Sequence, residues 1–96
     1  MAHYVILGNF TDQGIRNIKE TKKRAQAFRG AAEGMNVRLK DIYWTLGPYD
    51  VVVTLEAPDD ETVAALMMKV GSLGNLKSQT LRAFSENEIG LLLSRI

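Results

Sequence analysis

The sequence predicts an α+β fold in which four antiparallel strands form one sheet and helices cover one of its faces. Four stretches alternate between two side-chain faces, which is the pattern of strands. Longer stretches with apolar residues three or four positions apart, the spacing of helices, lie between and after them. The resulting order is βαββαβ followed by a last helix. No linker or repeat interrupts it, so we expect residues 1–96 to form a single domain.

The first strand is predicted over residues 3–10, and both of its faces are largely apolar. Such a strand is covered on two sides and lies centrally in its sheet. Thr11 offers a hydroxyl to cap the helix that follows, and Gly34 is the expected end of that helix. Since Gly14 lowers the helix propensity of the first turns, we expect a break or a one-turn offset before Thr21.

A turn at Gly47 and Pro48 joins two predicted strands, residues 37–46 and 50–57. The second of these is again apolar on both faces. It is therefore predicted to be the other central strand.

The second half continues with a helix that begins at Pro58-Asp59-Asp60-Glu61, where the acidic side chains cap it, and ends at Gly74 and Asn75. Residues 77–84 alternate with more polar side chains, which suits an edge strand. A capping box opens the last helix, residues 85–96. The expected buried stripes of the two helices are Val63, Leu66, Met67, Val70 and Leu73, then Ile89, Leu92, Leu93 and Ile96.

This order of elements, with the first and third strands in the middle, is the ferredoxin-like arrangement. Its two main helices cover one sheet face, whereas the central strands are apolar on both. The uncovered face therefore predicts a partner chain. A homodimer packed face to face is the simplest solution, and a trimer of dimers is a larger one.

Composition excludes several classes of function. A net charge of +1 gives no strong field for nucleic acid, and the sheet lacks the aromatic and basic pattern of RNA-binding sheets. No apolar run approaches the ~18 residues of a membrane span, and no secretory signal is recognisable, so we expect a cytoplasmic protein. With no cysteine and with His3 alone, read as a terminal surface residue, no metal site is expected. No phosphate loop is present, and we expect no cofactor.

The turn and the three valines after it, Gly47-Pro48-Tyr49-Asp50-Val51-Val52-Val53, resemble the Gly-x-Tyr-Asp signature of the GYD-domain family. Stretches that support the resemblance are Tyr4-Val5-Ile6-Leu7, Asn9-Phe10-Thr11-Asp12-Gln13-Gly14-Ile15, Tyr43-Trp44-Thr45-Leu46, Glu56-Ala57-Pro58-Asp59-Asp60, Leu73-Gly74-Asn75 and Gln79-Thr80-Leu81-Arg82-Ala83-Phe84. The resemblance implies a dimeric α/β-barrel of the ferredoxin-like superfamily, with no established reaction. Pro48 stands where many members carry a polar residue.

The candidate catalytic residues are Tyr49 and Asp50, because a carboxylate at a hairpin exit can orient a phenol or accept a proton. In the alternative interpretation Asp50 accepts amide hydrogen bonds of the turn and Tyr49 packs on the rim. Candidate ligand-binding residues offer hydrogen-bonding tips on strands: Asn9, Tyr43, Trp44, Thr54, Thr80 and Arg82.

Alternatives remain for several of these side chains. Trp44 could instead fill the core, and Arg82 could pair with Asp50 or Glu56 of another chain. The basic run at residues 22–24 resembles an anion-binding patch but also fits a solvated helix face.

The sequence thus favours a homo-oligomeric module that binds a small organic or acidic ligand between sheet and helices. The alternative is a cofactor-independent enzyme, of the monooxygenase or isomerase type, that uses Tyr43, Tyr49, Asp50 and Arg82. That alternative rests on fold analogy.

Overall fold

The structure, a computed structural model, describes all residues from 1 to 96. Its strands are β1 Ala2–Phe10, β2 Arg38–Trp44, β3 Val51–Ala57 and β4 Leu76–Ala83. Its helices are α1 Asp12–Arg16, α2 Thr21–Gly34, α3 Asp60–Ser72 and α4 Glu86–Leu93, with a short 3-10 turn at Ile18–Glu20. All strand pairs are antiparallel in the order β2-β3-β1-β4. The ferredoxin-like prediction is confirmed, with β1 and β3 in the centre.

The core lies on one face of the sheet, between the central strands and helices α2 and α3. Ile6 of β1 pairs with Val53 of β3, and both are buried together with Leu55. Val63 and Leu66 of α3 cover them, which confirms the first part of the predicted stripe. We call this side of the sheet the covered face. Leu73, predicted to be buried, is exposed because it follows the last helical residue.

The predicted break before Thr21 is present, and the structure supplies a second reason for Gly14. A Cβ at that position would overlap the backbone oxygen of Asn75, in the turn between α3 and β4. Thr11 holds the same turn through its hydroxyl, which donates to the Gly74 carbonyl oxygen at 2.6 Å. The predicted end of α2 at Gly34 is confirmed, although the residue with positive φ is Asn36, at 60°.

The opposite side of the sheet, which no helix covers, we call the open face. Its central part is apolar, since Val5 and Leu7 of β1 and Val52 of β3 are half-buried there. Tyr43 and Leu81 on the edge strands are 58% and 44% exposed. The chain therefore leaves an apolar surface on the open face, as the alternation of the central strands predicted.

Helix α4 begins with the predicted capping box. The Ser85 side chain accepts a hydrogen bond from the Glu88 amide, and the Glu88 carboxylate accepts one from the Ser85 amide. The predicted burial of its apolar stripe is wrong for the isolated chain, because no residue of α4 is buried. Ile89, Leu92, Leu93 and Ile96 are all exposed. No helix of the structure has the length and hydrophobicity needed to cross a membrane.

Candidate functional site

A groove of about 450 Å³ lies between the covered face of the sheet and the helices α2 and α3. Of the 18 residues that line it, 14 are hydrophobic. Its floor comes from the strands, through Ile6, Phe10, Ile42, Trp44, Val51, Val53 and Leu76. Its helical walls include Arg24, Phe28 and Ala31 of α2 and Met67, Lys69 and Val70 of α3.

Trp44 forms one edge of this groove. Its indole Nε1 donates to the Thr21 hydroxyl oxygen at 3.0 Å, which joins β2 to the start of α2. The side chain is 47% exposed, so the alternative that it fills the core is wrong. The reason lies in its position on the edge strand β2, where the start of α2 contacts it through Thr21 but does not cover it.

The charged residues of the groove are Arg24 and Lys69, and no acidic residue lines it. The Arg24 guanidinium donates to the backbone oxygens of Asn17 at 2.9 Å and Gly14 at 3.2 Å. It also lies 5.9 Å from the centre of the Phe10 ring. Neither Arg24 nor Lys69 forms an ion pair within the chain. Both cations therefore stay uncompensated beside an apolar surface.

A second, smaller cavity of about 240 Å³ opens near the start of β1 and includes Thr54, whose hydroxyl donates to Asp41 at 2.9 Å. His3 lines it and lies 3.5 Å from each of the carboxylates of Glu56 and Glu88. His3 is thus a partly exposed residue, as expected near a terminus, and it also contacts two carboxylates, one of them from α4. No group of three or more His, Asp or Glu side chains is placed to hold a metal ion.

Tyr49 and Asp50 lie in the hairpin turn, and neither lines the groove or the smaller cavity. The Asp50 carboxylate accepts a hydrogen bond from the Phe10 amide at 3.0 Å, and its own amide donates to the Gly8 oxygen at 2.9 Å. The Tyr49 hydroxyl is 3.4 Å from the Gln79 side-chain oxygen. In this geometry Asp50 ties the turn to the end of β1.

The other predicted ligand residues are distributed over both sheet faces. Tyr43 and Asn9 point to the open face, whereas Trp44, next to Tyr43 in the chain, points to the covered face. Thr80 and Arg82 stand on the covered side of the edge strand β4, outside the groove lining. The structure therefore brings Trp44 to the groove and Thr54 to the smaller cavity, and it does not gather the six residues into one site.

Within its own chain, Arg82 interacts with two aromatic rings and with Glu88. The suggested pairing with Asp50 or Glu56 of another chain stays a prediction. The Arg82 guanidinium lies 4.4 Å from the centre of the Phe84 ring and 5.6 Å from that of Tyr4, and it is 3.6 Å from the Glu88 carboxylate. Burial, together with a hydrogen bond donated to Asp60, raises the pKa of Tyr4 to about 12. The Tyr4 phenol therefore stays protonated into the alkaline range and acts as a structural donor to Asp60.

Two helix residues supply the charge of the groove, Arg24 and Lys69. The sequence marked Arg24 only as part of the basic run 22–24, a candidate anion-binding patch, and it did not mark Lys69. For Arg24 a signal existed, because it precedes the apolar Phe28 by one helical turn and so lies on the same side of α2. Its neighbours Lys22 and Lys23 point to solvent, as the solvated-face interpretation predicted. Lys69 carried no comparable signal.

Comparison with known proteins agrees with the fold. Residues 4–93 match the model of the GYD domain family. The chain is 34% identical over 84 residues to a protein of Thermus thermophilus named glutamine synthetase and cystathionine beta-lyase binding protein, an alignment that covers 86% of this chain and 88% of the relative.

Two crystal structures show the same fold at low sequence identity. TTHA0845 from Thermus thermophilus is 23% identical, with a TM-score of 0.57 over 88% of this chain and 95% of its own. MtbAldR is 14% identical, with a TM-score of 0.69 over 88% of this chain, which spans about half, 52%, of MtbAldR. Since the family match covers nearly the whole chain, the protein described here belongs to the GYD domain family.

Proposed function

We propose that this GYD-domain protein is a homo-oligomeric binding module that holds a small organic ligand in the groove between sheet and helices. The observation that carries the proposal is the groove itself. Its volume of about 450 Å³ falls within the roughly 300–1,000 Å³ of small-molecule pockets, and its lining is mostly apolar with a few polar groups at the edge. Among the predicted ligand-binding residues, Trp44 is the one that would contact a ligand in this groove.

Self-association is supported by the amount of surface that the chain exposes. The accessible surface is 6555 Å², whereas a compact monomer of 10.7 kDa exposes roughly 5,500 Å². The surplus of about 1,000 Å² is close to the ~800 Å² that each partner buries in a standard interface. The radius of gyration, 14.3 Å, also exceeds the ~12.5 Å expected for a compact domain of this length.

The open face is the surface that we assign to the second copy. Two such faces stacked about 10 Å apart, as sheets pack in sandwiches, remove Val5, Leu7 and Val52 from water. In this assembly Asn9, Tyr43 and Thr54 line the space between the sheets. Any ligand they bind would therefore be shared by two chains. A trimer of dimers remains compatible with this contact.

The enzyme alternative keeps Tyr49 and Asp50 as its candidate catalytic pair and Arg82 as its anion holder. Its support is weaker, since these residues lie apart from the groove and Asp50 already accepts the Phe10 amide. Thr80, also a predicted ligand residue, is exposed on the edge strand. We therefore place binding before catalysis.

A second candidate function is the binding of another protein. The Thermus thermophilus relative is named as a binding protein of two enzymes, and a GYD-domain protein with 34% identity to it is a candidate for a similar role. The exposed apolar side chains of α4, among them Leu91 at 71% and Leu93 at 59%, are a surface suited to such a partner. Small-ligand binding in the groove and protein binding through α4 are compatible.

Native mass spectrometry of the purified protein at micromolar concentration tests the proposal, because it reports the number of subunits and any retained small molecule together. A dimer or larger even-numbered assembly is expected, and an added small mass would identify the ligand. A monomer at all concentrations would contradict self-association through the open face. Retention of a larger polypeptide would favour the second candidate.

A further inference from the structure

We propose that the groove binds an anionic amphiphile, such as a free medium-chain carboxylate, with its apolar tail on the sheet and its head group at Arg24 and Lys69. This inference rests on the proposed function, since it names the chemical class of ligand for the same groove. It concerns a soluble single-chain acid and not a membrane surface.

The two cations flank the same end of the groove. Arg24 lies in the first turns of α2 and its guanidinium stands 5.9 Å from the centre of the Phe10 ring, at the end of β1. Lys69 lies in the last turn of α3, just before the chain enters β4. The first residue of β4, Leu76, pairs with Phe10. A carboxylate at this end of the groove therefore meets both helices.

Both cations have free hydrogen-bonding capacity. A guanidinium carries five N–H donors, and Arg24 directs donors to the Asn17 and Gly14 oxygens, which leaves others available. The ammonium of Lys69 has three donors and no partner within the chain. Since no acidic residue lines the groove, the field inside it is positive at one end and neutral elsewhere. That distribution favours an anion with an apolar body.

The size of the groove selects a small molecule over a helical segment of a protein. A helix with its side chains is about 10 Å across, so two turns occupy roughly 850 Å³, well above the 450 Å³ of the groove. Phe10, Val51, Val53 and Ile42 give the groove an apolar floor, which suits the tail of an alkyl chain. The occupant that matches both charge and volume is therefore a single-chain acid.

Titration of the 96-residue protein with three ligands that share a ten-carbon tail tests this inference. The ligands are decanoate, 1-decanol and decyltrimethylammonium, and binding is followed by the emission of Trp44, the single tryptophan. We expect decanoate to bind about tenfold more tightly than 1-decanol, which corresponds to about 1.4 kcal/mol. Decyltrimethylammonium should bind least tightly.

Two substitutions locate the head group. Lys69→Gln and Arg24→Gln should each weaken decanoate binding several-fold and affect 1-decanol binding much less. Lys22→Gln is the matched control, because it removes the same charge from the exposed side of α2 and should leave both affinities unchanged. Lys69→Gln is the safer test, since Arg24 also holds backbone oxygens of the α1 region.

Each other outcome overturns the inference in a recognisable way. Equal affinity for decanoate and 1-decanol would remove the role of the cations and leave the groove as a neutral binding site. Binding of none of the three ligands would contradict the proposed function as well. Decanoate binding that disappears as the protein concentration rises would show that a second copy occupies the groove, and would also overturn the inference.

Discussion

The indole Nε1 of Trp44 and the hydroxyl of Thr21 form a 3.0 Å hydrogen bond that joins the sheet to the first helix turn of α2. Both residues line the groove, so the bond closes one edge of it. Since Trp44 is the single tryptophan of the chain and is 47% exposed, its emission reports on occupancy of the groove. Tryptophan fluorescence can therefore be used to test whether the groove binds a ligand.

The first prediction concerns Gly14. Gly14→Ala should lower the free energy of unfolding by more than about 2 kcal/mol, because the new Cβ would overlap the backbone oxygen of Asn75 and neither backbone segment can yield cheaply. Urea denaturation followed by Trp44 fluorescence measures the change. Gly30→Ala, within α2 where no atom lies near the added Cβ, is the control. It should raise stability by about 0.5–1 kcal/mol.

The second prediction distinguishes the structural and catalytic interpretations of Asp50. If Asp50 ties the turn to β1, Asp50→Ala should cost about 1–3 kcal/mol of stability, because the half-buried Phe10 amide loses its acceptor. Asp50→Asn keeps an oxygen acceptor and should cost less. Thermal denaturation provides the comparison. An Asp50→Ala protein with unchanged stability would revive a role for this carboxylate in ligand chemistry, together with Tyr49.

The third prediction concerns alkaline pH. Because folding raises the pKa of Tyr4 from 10.0 to about 12, the unfolded chain loses this proton first. The contribution of Tyr4 to the stability of the folded chain is therefore fully present below pH 10, and it falls as the pH rises towards 12. Tyr4→Phe should remove this fall, as measured by urea denaturation between pH 9 and about 11.5. Tyr43→Phe, on the open face, is the control, and this variant should still lose stability as the pH rises.

The fourth prediction concerns α4 at acid pH. The hydrogen bond from the Ser85 amide lowers the pKa of Glu88 below its ordinary value of 4.5. The contribution of the Glu88 carboxylate to the stability of α4 is therefore present above pH 4.5, and it is lost as the pH falls through the lowered pKa. Acid titration by circular dichroism should show loss of helix signal in the same range. Glu88→Gln, which preserves the capping geometry, should abolish that pH dependence. A titration curve identical to that of the wild type would contradict this assignment.

Much of the fold could be predicted because local patterns and tertiary structure agree. The alternation of β1 and β3, the Gly47-Pro48 turn and the capping box at Ser85 each specify an element without long-range information. The break before Thr21 was also predictable, but the second reason for a glycine at position 14 was not. The close approach of Gly14 to Asn75 joins two segments far apart in the chain, and a single sequence does not reveal such a contact.

The candidate site was much less predictable than the fold. Strand periodicity puts Tyr43 and Trp44 on opposite faces, yet their aromatic character placed both among the ligand residues. The groove is bounded by α2, α3 and the covered face of the sheet, so it depends on helix packing and not on any motif. Arg24 and Lys69 lie at its end for the same reason, so composition alone could not separate them from surface cations.

Energy transfer from Trp44 to the neutral probe N-phenyl-1-naphthylamine tests the central claim, that the groove holds a small organic molecule, most directly. We expect saturable transfer with one probe per chain. The double substitution Ala25→Leu and Ala31→Leu fills the groove and should abolish transfer, whereas Ala64→Leu and Ala65→Leu on the exposed side of α3 should preserve it. Absent transfer, or equal transfer in the filled variant, would contradict the claim.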